Sequence, residues 1–139
     1  MENIRIYHLC LSCKKGLMFR SRQDYIRFIN NMALLAHKYK VRILAFAVMS
    51  NHYHICIMTD DFRQFFRSLK ISYSNYYRHK YGVSLPKASG FKQEATGNLH
   101  IVTLLAYVLR NPVHHGLVGH PFAYPYSSAG CYFSYNGTL

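Results

Sequence analysis

The chain has 139 residues, half of them apolar, which suits one compact domain with a real core and argues against disorder. Seventeen Lys and Arg stand against five Asp and Glu, so a formal charge of +12 favours a polyanionic partner, with nucleic acid ahead of an anionic membrane surface. The longest strongly apolar run, residues 43–49, is too short to span a bilayer, and no charged start with an apolar stretch precedes a cleavage-like site, so an intracellular protein without a membrane partner is expected.

In chain order, the segment from about Ile4 to Leu11 alternates as a strand does and is broken by Lys14, Lys15 and Gly16. Ser21 with Asp24 three residues on resembles a capping box, and Tyr25, Phe28, Ile29, Met32, Leu35, Ala36 and Tyr39 then recur at helical spacing. Val41 to Met49 and His52 to Met58 are two β-like runs joined at Ser50 and Asn51, which reads as a hairpin. Asp60 or Asp61 can cap a helix with Phe62, Phe65, Phe66, Leu69 and Tyr73 on its apolar side, ended by Gly82. Residues 84–97 are rich in turn formers, and Phe91 to Gln93 are expected to add a short strand at most. A last helix is expected from about Asn98 to Arg110, stopped by Asn111 and Pro112 because proline pushes its predecessor out of the helical region.

This order predicts an α+β domain over 1–139: a ferredoxin-like antiparallel sheet with helices on one face, the other face free for a site, and a further helix near the C-terminus. The order alone names no function, because RNA-binding and metal-binding domains share it. Cys10, Cys13, Cys56 and Cys131 have no even spacing, so disulfides are not expected, and Cys10-x-x-Cys13 is half a zinc motif without its second half. Thirteen Tyr and nine Phe accompany the +12 charge, and rings beside cations suit unstacked bases, although most of these rings must be core.

The chemistry concentrates in Met49 to Ile57. Residues two apart on a strand point the same way, so His52 and His54 share one face while Tyr53, Ile55 and Ile57 anchor the other. Two imidazoles on a rigid strand can meet one small ion, although such a pair is more often packing than ligation. On the last helix, His100, Thr103, Tyr107 and Asn111 fall at i, i+3, i+7 and i+11 along one stripe, beside an apolar stripe of Ile101, Leu104, Leu105 and Val108. A phenol has a reference pKa near ~10, so only about one in a thousand is ionised at neutral pH and a nearby cation must assist any nucleophilic role. Taken singly, Tyr107 also suits a core aromatic and Asn111 a turn cap.

Met49-Ser50-Asn51-His52-Tyr53-His54 resembles the HUH motif (His, hydrophobic, His). Tyr107-Val108-Leu109-Arg110-Asn111-Pro112-Val113, with Gly116-Leu117-Val118 and Tyr124 to Ser128 after it, resembles the downstream signature of REP-associated tyrosine transposases, the single-tyrosine branch of HUH transposases. The resemblance spans Tyr7 to Ser128. It implies a single-stranded DNA endonuclease and strand transferase that works through a 5′-phosphotyrosine on Tyr107, on hairpin-forming DNA, in the prokaryotic cytoplasm at the nucleoid. It also implies a divalent metal, Mg or Mn, on His52 and His54. Asn111 matches the polar residue that completes the metal shell in relatives; being one methylene shorter than the glutamine often found there, it has a bridging water as the alternative to direct contact. A homodimer is open, since in some members the tyrosine serves the partner's metal site. His114 and His115 replace a basic-plus-small pair, and with His120 are expected to be surface or phosphate-contacting residues without a catalytic role. His8 on the first strand can neighbour the metal site, but it is expected to pack.

Arg63, Arg67, Lys70, Ser74 and Arg78 line one side of the second helix, and Arg63, Arg67, Lys70, Arg78 and Lys80 are expected to hold DNA phosphates, setting affinity rather than sequence, with a solvated helix face as the alternative for each. Two rivals remain at this stage. One is a catalytically inactive single-stranded nucleic-acid-binding module of the same fold; the other is an RNA-binding ferredoxin-like module, whose Gly-Phe-centred signature is missing.

Overall fold

The computed structural model describes residues 3–117, 119 and 124–129. Val118, His120 and Cys131 lie outside them. Four strands, β1 (Arg5–Cys13), β2 (Arg42–Met49), β3 (His52–Thr59) and β4 (Ala88–Ala95), form one antiparallel sheet in the order β2-β3-β1-β4. Among the described residues there are three helices: α1 (Arg22–Lys38), α2 (Arg63–Tyr81) and α3 (Asn98–His114). This is the ferredoxin-like α+β arrangement the sequence predicts, and none of the helices is long and apolar enough among the described residues to cross a membrane.

Strand alternation divides the chain's apolar residues between two cores. Tyr7, Leu9, Leu11, Tyr53, Ile55 and Ile57 pack with Phe28 and Met32 of α1 and Phe65, Leu69, Tyr73 and Tyr77 of α2. On the opposite face, Ala45, Ala47, Met49 and Cys56 meet Leu104, Val108 and Leu109 of α3. The first two helices thus share one face and α3 covers part of the other.

Local chemistry sets the helix ends. Ser21 caps α1, its hydroxyl accepting from the Asp24 N–H at 3.3 Å. Asp24 does not close the box; it is buried and accepts from the Arg20 N–H, Tyr76, Tyr81 and the Lys80 ammonium, pinning α1 to the end of α2. Phe62 occupies the cap position of α2, and the Asp61 carboxylate accepts from the Arg63 N–H at 3.0 Å. Gly82 ends that helix in the left-handed region at φ 72°.

Two sequence expectations need correction. The short strand around Phe91 is a full eight-residue edge strand, because β1 offers it a complete antiparallel register from Ile6↔Ala95 to Cys13↔Ala88. The last helix does not stop at Arg110: it runs through Asn111 and Pro112 to His114. Proline forfeits its own N–H bond to the preceding turn and crowds the carbonyl four residues back, but here the helix ends two residues later with Asn111 and Pro112 both buried, so packing outweighs that cost. The His115 and Leu117 N–H groups return to the Asn111 and Pro112 carbonyls to close the end.

Candidate active site

The Ser50-Asn51 turn places the histidine pair. The Ser50 carbonyl accepts from the Met18 and Phe19 N–H groups and the Asn51 carbonyl from the Cys13 N–H, so the loop after β1 clamps the start of β3. His52 and His54 then lie on the α3 side of the sheet, both buried, while Tyr53 between them is sealed into the other core.

Each imidazole is oriented by a neighbour. The Nδ1 of His52 lies 2.7 Å from the Asn51 side-chain oxygen, and an oxygen there accepts the Nδ1–H, which leaves Nε2 with its lone pair. That Nε2 lies 3.0 Å from Oδ1 of Asn111. Either His52 donates there in its other tautomer, or the two acceptors face a common cation, and Nδ2 of Asn111 has no partner. His54 Nδ1 is 2.9 Å from Nε2 of His8, its strand neighbour across β1. Burial, and then the nearness of His8, His52 and His115, lowers the His54 pKa to about 3; burial lowers those of His8 and His52 as well. The three rings are therefore neutral at pH 7 and keep the lone pairs that a cation needs.

These groups fit a divalent ion: two neutral imidazoles and a buried amide oxygen with no competing donor. Among the described residues no three His, Cys, Asp or Glu side chains are placed to hold a metal, so the amide is needed to complete a third protein ligand. Imidazole favours Mn, Zn or Ni over Mg.

The α3 stripe converges on this pair from above. The Tyr107 ring, 48 % exposed, stands edge-on to His54 with centroids 5.4 Å apart, and Asn111 one turn later reaches His52. Tyr107, His52, His54 and Asn51 line one cavity of about 300 Å³. His100 and Thr103 continue the stripe along an adjoining cavity of about 410 Å³.

Two histidines given no site role by sequence reasoning belong to this cluster. His8 touches His54 directly, and the His115 ring lies 4.7 Å from that of His52 on the cavity wall. His115 is four residues past Asn111, so a helix continued through Pro112 would have put it on the same stripe. The five basic residues divide. Arg67 and Lys70 line a groove beside β4 together with Arg63, which is paired with Asp61 at 2.9 Å. Arg78 is exposed and reaches only Asn75, whereas Lys80 is held against Asp24 at 2.8 Å.

The chain belongs to the IS200-like transposase family, whose model matches residues 3–111. Among solved structures it is similar to a REP-associated tyrosine transposase bound to a REP hairpin, with a TM-score of 0.77 and 17 % identity over 97 % of this chain and 82 % of that one. At that identity the likeness is one of fold. Curated protein sequences give no match.

Proposed function

We propose that this chain cleaves and rejoins single-stranded, hairpin-forming DNA through a covalent tyrosine intermediate. The carrying observation is the meeting of the Tyr107 ring and the His52–His54 pair on one cavity within a single chain. Family membership supports DNA as the substrate, and the similar solved structure holds a hairpin.

Tyr107 Oη attacks the scissile phosphorus, the bond to the 3′-oxygen breaks, and that oxygen leaves as a 3′-hydroxyl after taking a proton. The 5′-phosphate stays esterified to Tyr107, so a later 3′-hydroxyl can reverse the step and join a different end without a nucleotide cofactor. His52, His54 and Asn111 would hold a divalent cation, Mg or Mn, which when bound supplies charge neutralisation at a phosphate oxygen. His8 fixes the ring of His54, and Asn51 that of His52, so both ligands are oriented before DNA arrives. Arg67, Lys70 and Arg78 supply sequence-independent phosphate contacts. The Tyr107 ring lies against His54 of its own chain, which supports a site assembled within one protomer.

The test is incubation of the protein with short hairpin oligonucleotides and Mn, scored for a denaturation-resistant protein–DNA adduct. An adduct that disappears in Tyr107→Phe is expected. DNA binding without any adduct would leave the inactive binding module as the correct reading.

A further inference from the structure

A second groove lies between α2 and β4, about 530 Å³ in volume and walled by Phe62, Phe66, Arg67, Lys70, Phe91 and Lys92. It is on the far side of the β4 edge from the histidines, since Leu9 and Leu11, the register partners of Lys92 and Gly90, face the α1–α2 core. Phe91 joins the two sides. It is half exposed at the edge strand, it borders this groove, and it also borders the cavity shared by His8, His54 and Tyr107, with its ring 5.5 Å from that of His8.

We propose that this groove holds unpaired nucleotides of the strand that enters or leaves the active site, with Phe91 as the stacking platform where that strand turns over the β4 edge. The proposal rests on the single-stranded DNA reading above. Three observations select this occupant. Arg67, Lys70 and Lys92 form no ion pair with any described residue, so their charges are free for phosphates. The Lys70 ammonium is held 4.3 Å over the Phe66 ring and that of Lys92 5.7 Å from the Phe62 ring, which keeps both cations at the groove wall rather than in bulk water. The half-exposed Phe91 ring beside these cations matches a strand whose bases are unstacked, whereas a duplex hides its base faces; Phe66 is buried and serves as wall.

Gly90 forms the floor. A Cβ there would meet Leu11, Lys70 and Phe66 only at 3.8–4.0 Å, ordinary contact distances, so the backbone tolerates a side chain that would project into the groove. The edge strand itself adds only one strand's width between the two cavities, so a chain of a few nucleotides has no other element to cross.

The experiment compares a blunt hairpin DNA with the same hairpin carrying single-stranded extensions on both sides, and with extensions made of abasic residues, by fluorescence anisotropy on the full chain. The wild type should prefer the extended hairpin, and the ratio of extended to blunt affinity should fall about tenfold in Gly90→Val and in Phe91→Ala. Abasic extensions should already lack the part that Phe91→Ala removes. Phe91 lies on an exposed edge and carries the decision if Gly90→Val melts early. A wild type with no preference for extensions, or a ratio unchanged in Phe91→Ala, overturns the proposal. A wild type that binds neither hairpin overturns the DNA reading itself, which separates the two failures.

Discussion

The two faces of the sheet are built on opposite terms. The α1–α2 face buries rings against rings and pairs most of its polar atoms: Tyr73 donates to the Met18 carbonyl, Tyr77 to the Leu17 carbonyl, and Asp24 has a donor for each oxygen, while the Tyr53 hydroxyl alone among these is buried without a partner. The α3 face buries three neutral histidines and an asparagine whose polar atoms are left facing one another or unpaired. Desolvated polar groups without full partners lower stability, and a fold keeps them where a ligand supplies what is missing. One face therefore holds the domain together at the expense of no chemistry, and the other holds reactive groups in place by resting on that support.

The sharpest break of this contrast is Tyr107→Phe. It should abolish the covalent adduct completely while leaving the thermal midpoint unchanged, because the hydroxyl projects from a half-exposed ring; an equal loss of stability would place the phenol in the core instead. On the other face the effects reverse. Asp24→Asn should cost roughly 3 kcal/mol in a urea titration, since an amide cannot accept from all the donors aimed at that carboxylate, and any surviving fold should still form the adduct.

His8→Ala should weaken Mn binding by about 10–100-fold in a calorimetric titration, with His8→Gln restoring part of it, because only a side chain that can hold His54 Nδ1 matters there. Full Mn affinity in His8→Ala would make His8 a packing residue. A further effect is on acid stability. The pKa of His54 falls from 6.5 unfolded to about 3 folded, so below pH 6.5 the unfolded chain takes up a proton that the folded chain refuses. Its contribution is fully present above pH 6.5 and is lost as pH falls toward about 3, at up to about 1.4 kcal/mol per pH unit. Asp24 is different in cause: burial alone would raise its pKa, but Lys80, Tyr81, the Arg20 N–H and Tyr76 hold it well below the ordinary carboxylate range. Its share is lost only in stronger acid. A melting curve flat between pH 6.5 and 4 would contradict the neutral-histidine site.

Much of the frame is legible in the residues. Period-two alternation puts His52 and His54 on the face away from Tyr53, Ile55 and Ile57 without any knowledge of partners, and 3.6-residue periodicity puts Tyr107 and Asn111 on one stripe. Both are local properties, fixed by the backbone that carries them. The misreadings share another character. Pro112 argues locally for a helix end, yet burial of Asn111 and Pro112 carries α3 onward. The segment containing Phe91 is weak as a strand by itself, yet β1 completes it.

By itself, then, the sequence determined which side chains share a face, because that depends only on neighbours within a few residues. The tertiary structure decided which faces meet: His8 against His54 across 46 residues, Asn111 against His52 across 59, and Phe91 between two cavities. Such meetings depend on strand register and on how α3 seats on the sheet, both set by packing summed over the whole core, which no short window of residues contains.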